Sequence, residues 1–426
     1  MADTAEPSYE HSEQLRRYSG PRTRVLLYSH DTFGLGHLRR NLAIATHLLE
    51  RRNRPFAVRL LTGSPVATSW PMPAGLEVHP LPPVIKTGAE EYAARDRSFT
   101  FAAVKARREA LILRSVIDFR PDVFLVDHAP AGMKKELLEA LAFIRAEMPQ
   151  TRTVLGLRDI LDSPKIVRKL WRDEGVYELL ESAYDQILVY GNRELFDAVS
   201  EYELPPAVAA KARFCGYVVE ASIQGMSAAP NGSDVARSRT ERPTILVTIG
   251  GGGDGFALME AYLRALSATP PGRAESVLVT GPLMHPEQRC ALDKLAASRP
   301  DVRLLDHSTE LTELIRSATL VVSMAGYNTT AEILAARKPA ILVPRSAPRA
   351  EQRLRATLIG ALGLAWIVQP EEDLVARLRE LVTGAIDGQR LPRLEECPLD
   401  LAGARRVGDS LEELVATSIP SLESVP

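Results

Sequence analysis

Short apolar runs recur along this 426-residue chain, spaced so that one helix fits between neighbours. Arg24–His30 (RVLLYSH), Phe56–Thr62, Asp122–His128 (DVFLVDH), Arg152–Leu157 and Gln186–Tyr190 each read as a buried strand, with a further one near Arg213–Val218. The rhythm returns at Thr244–Ile249, Glu275–Thr280, Asp301–Leu305, Thr319–Ser323, Ala340–Val343 and Ala365–Val368. Strands alternating with amphipathic helices specify parallel, doubly wound sheets. Met226–Pro243 (MSAAPNGSDVARSRTERP) interrupts the pattern with polar, Pro/Gly/Ser-rich sequence and reads as a linker. The division expected is a polar leader over 1–20, a first Rossmann-like domain over 21–225, the linker over 226–243, a second such domain over 244–400, and a tail helix over 401–426. The chain is long enough for two cores.

A formal net charge of -2 gives no electrostatic reason to expect a nucleic-acid partner. Cys215, Cys290 and Cys397 are isolated, without metal-ligand spacing, which argues against a zinc site or disulfide framework. The leader lacks the apolar stretch of a signal peptide, and no run approaches the ~20 apolar residues of a spanning helix. These features predict a cytoplasmic protein whose membrane contact, if any, is peripheral at the inner face.

In open parallel sheets, ligands bind beyond the carboxyl ends of the strands. That rule singles out His30, His37, Asp127, His128, Arg158 and Asp159 in the first half. In the second half it singles out Gly250–Gly253, Gly281, Ser323, Gly326 and Arg345. Thr248–Phe256 (TIGGGGDGF) formally meets the dinucleotide glycine spacing, but the next strand ends in Thr280-Gly281 without the acid that would hold a ribose. NAD and FAD are therefore disfavoured. At Thr319–Arg337 a strand opens through Ala325-Gly326 into a helix, placing unpaired amides and the helix dipole where an anion can sit. Glu332 follows Thr329 at capping-box spacing, so by spacing alone it serves either as a cap or as a ligand. His37 begins a helix, where the dipole disfavours a cation. It reads either as a neutral general base or as a loop-bonded structural histidine. Arg39, Arg40, Arg51, Arg52, Lys105, Arg107, Arg108 and Arg114 read chiefly as solvated helix faces, leaving contact with anionic lipid or a pyrophosphate-bearing acceptor as the other use.

FGLGHLRRNLAIA near the N-terminus, taken with SMAGYNTTAEILAARKPAILVPR and RAEQ, resembles the GT-B glycosyltransferases of family 28, to which the peptidoglycan N-acetylglucosaminyltransferase belongs. YSHDTFGLGHLRR is similar to a bacterial group of uncharacterised, predicted glycosyltransferases. The resemblance implies two Rossmann-like domains facing a cleft, with a nucleotide-sugar donor, most often UDP-linked, in the second. By that resemblance Glu332 matches the ribose ligand. Gly326, Asn328 and Thr329 match the diphosphate turn, with Ser323 and Arg345 beside it. Glu351 and Gln352 match the pair on the transferred sugar, Gly251, Gly252 and Gly253 the second-domain glycine loop, and Gly34, Gly36 and His37 the acceptor-side loop. The first loop is poorer in glycine than is usual in the family, and Arg-Ala precedes the sugar pair, so acceptor and sugar identity stay open.

The chain contains no D-x-D sequence to hold a divalent cation, and no cofactor is expected. The reading is an inverting transfer in polysaccharide or cell-envelope glycan synthesis, metal-independent, with His37 or Asp127 as base and the linker as hinge. The acceptor is a glycan, lipid or small molecule. The alternatives are a GT-B UDP-N-acetylhexosamine epimerase and a non-catalytic nucleotide-sugar-binding subunit.

Overall fold

The computed structural model describes residues 22–31, 35–51, 54–67, 70–86, 91–220, 242–251, 253–306, 308, 310–345, 349–389, 392, 394 and 397–417. The leader, most of the proposed linker, Gly34 and Gly252 lie outside them.

The first lobe is one parallel sheet. Its strands are β1 (Thr23–Ser29), β2 (Phe56–Thr62), β3 (Glu77–Pro80), β6 (Val123–Asp127), β7 (Arg152–Arg158), β8 (Gln186–Tyr190) and β9 (Ala212–Phe214), in the spatial order β3-β2-β1-β6-β7-β8-β9. Burial on both faces explains why β6 and β8 read as unbroken apolar runs rather than alternating ones. The second lobe repeats the design with β10 (Thr244–Thr248), β11 (Glu275–Val279), β12 (Val302–Leu305), β13 (Leu320–Ser323), β14 (Ala340–Leu342) and β15 (Trp366–Ile367), ordered β12-β11-β10-β13-β14-β15. Chain order reverses direction between β1 and β6, and again between β10 and β13. These two points are where parallel sheets open a crevice.

Three local expectations need correction. The region 63–97, read as loop with one strand, also holds an antiparallel hairpin of β4 (Val84–Lys86) and β5 (Tyr92–Ala94). The helix expected from Lys134 to Met148 is a 3-10 turn at Met133–Lys135 followed by the helix Leu138–Glu147, because Lys134 adopts φ 48°. The strand expected to reach Val218 stops at Phe214, where the chain leaves the sheet to meet the other lobe. There Tyr217 packs on Tyr327 with ring centroids 5.2 Å apart, and the Val218 amide donates to the Tyr327 hydroxyl at 3.0 Å.

The helix Gly403–Ala416 lies on the first-lobe helix Gly36–Leu49, with Arg51 paired to Asp409 and, at 2.7 Å, to Glu412. The chain therefore passes between the lobes twice. Beneath the first sheet, Arg108 is fully buried and not a solvated charge: it holds Glu136 at 2.6 and 2.7 Å, and Tyr28 donates to the same carboxylate at 2.6 Å. Removing one partner of such a pair strands the other without solvent. Arg108→Met is expected to lower unfolding stability by about 3–5 kcal/mol, whereas Tyr28→Phe costs about 1 kcal/mol. Urea denaturation followed by tryptophan fluorescence measures both. Equal losses from the two variants would contradict the pair's role.

Candidate functional site between the lobes

The two reversal points face each other across a cavity of about 1560 Å³. Single small-molecule sites run about 300–1,000 Å³, so this volume accommodates two reactants. Its first-lobe wall is built by the strand ends and the start of helix Gly36–Leu49. His30 follows β1, Asp127 closes β6, and His128 comes next with φ 69°. That left-handed conformation is costly for a histidine and is held here by its amide donating to the Gly156 carbonyl at 2.7 Å. The rings of His30, His37 and His128 gather with centroids 5.1–5.8 Å apart.

Asp127 is almost wholly buried and bonds on two sides. Its Oδ2 lies 2.5 Å from His37 Nδ1, and Arg40 donates to it through Nε at 2.9 Å and Nη2 at 2.7 Å. Burial alone would raise its pKa, but the Arg40 charge and then His37 overcome this and hold the carboxyl far below its usual range. The ionised carboxylate 2.5 Å from Nδ1 calls for an N–H donor there, which leaves the lone pair on Nε2; the Arg40 Nη2, itself a donor, lies 2.9 Å from the same Nδ1. Burial, the largest influence, lowers the His37 pKa, and Asp127 opposes it in part. His128 is pushed well below the ordinary value by burial, then by Arg158 and the other two histidines.

On the second lobe, Gly326 caps the helix Tyr327–Ala335, and a Cβ added there would meet nothing within 4 Å. Space above that backbone is left for a ligand. The glycine loop has a structural use too: Gly250 has φ 68°, and a side chain on Gly281 would strike the Gly250 carbonyl at 2.5 Å. Gly251, Gly253, Asn328, Thr329, Arg345, Glu351 and Gln352 line the cavity. Arg345 binds Asp254 and, at 2.6 Å, Glu351, while its amide donates to Gln352 at 3.2 Å. The second oxygen of Glu351 is buried and unpartnered.

Asp127, Ser323 and Glu332 do not form the wall; Asp127 lies behind His37 and Arg40, which do. Ser323 lies within the sheet and donates to the Met324 carbonyl at 3.0 Å. Glu332 sits behind Arg39, which bonds it at 2.5 Å across the lobes, leaving its other oxygen buried and unpartnered. It makes no capping bond to Thr329, since the helix starts two residues earlier at Tyr327. Burial raises its pKa against the Arg39 charge.

Among the described residues, two junctions between the lobes border the cavity. Asn328 Nδ2 donates to the Gly36 carbonyl at 2.9 Å, and the Ala350 amide donates to Asp162 at 3.0 Å. Arg355, fully buried, donates to the Ala325 carbonyl at 3.0 Å and pairs with Asp159 at 3.4 Å. Arg39, Arg40 and Arg355 were not legible as site residues, because each partner lies far off in the chain. The same holds for Trp70 and Met72, which line an apolar arm of the cavity.

Residues 244–390 match the glycosyltransferase family 28 C-terminal domain. The UDP-N-acetylglucosamine–N-acetylmuramyl-(pentapeptide) pyrophosphoryl-undecaprenol N-acetylglucosamine transferase of Thiobacillus denitrificans is 32% identical over 197 residues, 44% of this chain and 51% of that protein. The matched segment thus spans about half of that relative's length. Among solved structures, the calicheamicin glycosyltransferase CalG4 superposes with TM-score 0.57 at 19% identity over 94% of this chain and 100% of its own. The UDP-GlcNAc 2-epimerase of Neisseria meningitidis gives TM-score 0.56 at 12% identity over 93% and 100%. The fold is GT-B, with two Rossmann-like parallel sheets about a cleft. Transferase and epimerase match it equally well, so chemistry must be argued from the site.

Because the folded chain resists protonating His37 and His128 while the unfolded chain does not, stability must fall as pH drops below the ordinary histidine value of 6.5. The loss is expected to reach about 1.4 kcal/mol per pH unit for each histidine. It should be flat from pH 7 to 8 and shallower in His128→Gln. Urea midpoints across this range test it, and a midpoint unchanged between pH 7 and 5 would contradict the assignment.

Proposed function

We propose that this chain, with a family 28 C-terminal domain on a GT-B scaffold, transfers a sugar from a nucleoside-diphosphate donor, UDP-linked, to an acceptor hydroxyl with inversion. One observation carries the reading: the open helix terminus at Gly326–Asn328 and the His37–Asp127 pair close on each other across one cavity, joined by Asn328 and Gly36. The donor diphosphate sits at that terminus, where main-chain amides and the helix dipole favour an anion. Glu332 takes the ribose hydroxyls from behind the Arg39 side chain that stands between it and the cavity, and Glu351 and Gln352 take the sugar. The unpartnered oxygens of both glutamates support this assignment, because a buried carboxylate oxygen is stabilised by a hydroxyl donor.

His37 Nε2 removes the acceptor proton as the acceptor oxygen attacks the anomeric carbon. The bond from that carbon to the diphosphate oxygen breaks, and its electron pair leaves with the diphosphate. A single displacement inverts the anomeric centre. Asp127, already occupied by Arg40 and His37, orients the imidazole and stabilises its protonated form rather than accepting the proton itself. Charge on the leaving group is met by amides and the helix dipole without a metal ion. The role extends to cell-envelope or polysaccharide glycan assembly at the cytoplasmic side. Among the described residues, no helix is long and apolar enough to cross a membrane.

Glu332→Ala is expected to weaken UDP binding about ten- to hundredfold, the loss of a charge-assisted hydrogen bond. Calorimetric titration measures this, and unchanged affinity would remove the donor assignment. His37→Gln should lower the transfer rate about 10²–10⁴-fold while leaving UDP affinity intact, and chelating divalent ions should not alter the wild-type rate. An epimer formed from UDP-sugar alone would favour the epimerase instead.

A further inference from the structure

The cavity wall between the end of β7 and the start of helix Glu351–Ala361 holds two arginines that no described carboxylate pairs. Arg158 there feels the charges of Arg40, Arg355 and Arg349, and Asp162 and Glu351 line the same wall. Two of these arginines are matched, Arg40 by Asp127 and Arg355 by Asp159 and the Ala325 carbonyl. Among the described residues, no carboxylate forms an ion pair with Arg158 or Arg349, and Arg158 Nε is buried without a hydrogen-bond partner. Burial, then the neighbouring arginines, bring the Arg158 pKa down to about 10, with Glu351 alone pulling the other way. His128 adds a buried, unpartnered Nδ1 beside them, and Arg158, Arg349 and His128 all line the cavity. A partly desolvated cation among like charges is stabilised by an anion, and among the described residues no carboxylate is in ion-pair contact with it.

Which reactant brings that anion follows from the layout. The donor diphosphate, under the function proposed above, lies at the Gly326–Asn328 terminus, where main-chain amides and the helix dipole meet it and Arg355 holds the preceding Ala325 carbonyl. The donor sugar faces Glu351 and Asp254, two carboxylates sharing the single cation Arg345, which disfavours an anionic sugar. The acceptor remains. We propose that Arg158 and Arg349, with His128, form a subsite for an oxyanion, a carboxylate or a phosphoryl group, carried by the acceptor close to the hydroxyl that receives the sugar. This rests on the transferase reading and specifies its acceptor class. Arginine suits the task, since its planar fork matches both oxyanions with two parallel hydrogen bonds.

Calorimetric titration of the full chain saturated with UDP tests the subsite, using glucuronate as carboxylate probe, glucose 6-phosphate as phosphoryl probe and glucose as neutral control. Binding of one anion but not of glucose is expected, and Arg158→Gln and Arg349→Gln should each weaken it about tenfold or more, with UDP affinity at the wild-type value. Whichever anion binds identifies the acceptor group. The proposal is overturned if neither anion binds better than glucose, or if both variants bind the anion as wild type does. It is overturned equally if Arg158→Gln loses UDP, since that charge would then serve the donor. A wild-type chain that binds an anion through Arg158 but no UDP sinks the transferase reading and leaves the anion site standing.

Discussion

Arg355 fixes the relation between the lobes. It is fully buried, with one nitrogen on the Ala325 carbonyl of the second lobe and another facing Asp159 of the first. Asp159 is itself held by Tyr217, whose ring packs at a tilt against Tyr327, and the Arg355 guanidinium lies 5.6 Å from the centre of that Tyr327 ring. A charge this deep is tolerable only while every partner stays in place. Because Ala325 immediately precedes the open turn at Gly326, the contact that holds the lobes also aims the helix terminus at His37.

The same economy appears at each strand end. The chain places a left-handed histidine after β6, a buried carboxylate beneath it, and an arginine one helical turn from His37 to hold that carboxylate. None of these arrangements is local, and none is stable alone: Asp127 without Arg40 would be driven toward protonation by burial, and Arg40 without Asp127 would be an unpaired interior cation. Each forms only when the first sheet is complete.

This explains what was legible in the sequence and what was not. Apolar runs and the helices between them are near-neighbour patterns, so both sheets were readable, and the strand-end rule then pointed to His37, Asp127 and Gly326, with Asn328 added by the resemblance. The charges on helix Gly36–Leu49 were read as solvated because helical periodicity cannot register a partner such as Glu332, 293 residues away from Arg39. Arg108 escaped for the same reason, its Glu136 lying in a loop turned by the positive φ of Gly132. The hairpin β4–β5 was hidden by its short, weakly alternating strands, three residues each. Conversely, the glycine run after β10 owes part of its composition to the positive φ of Gly250, so glycine count alone overstated its claim as a ligand loop.

The Arg39–Glu332 pair gives the cleft a further property. If Glu332 is the ribose ligand, the oxygen that the nucleotide would engage is either the unpartnered one or the one now held by Arg39. In the first case the donor adds to an existing ion pair and leaves Arg39 spanning the lobes above it. In the second, the nucleotide replaces a cross-lobe bond, and binding loosens one junction while the Arg355 contact keeps the other. Burial already biases the Glu332 carboxyl toward its neutral form, and Arg39 is the charge that opposes this. Donor binding that retains Arg39 is therefore the less costly course, since it avoids isolating a buried carboxylate. Under that assignment Arg39, on the helix that starts the first-lobe wall, would belong to the donor site as fully as any residue of the second lobe.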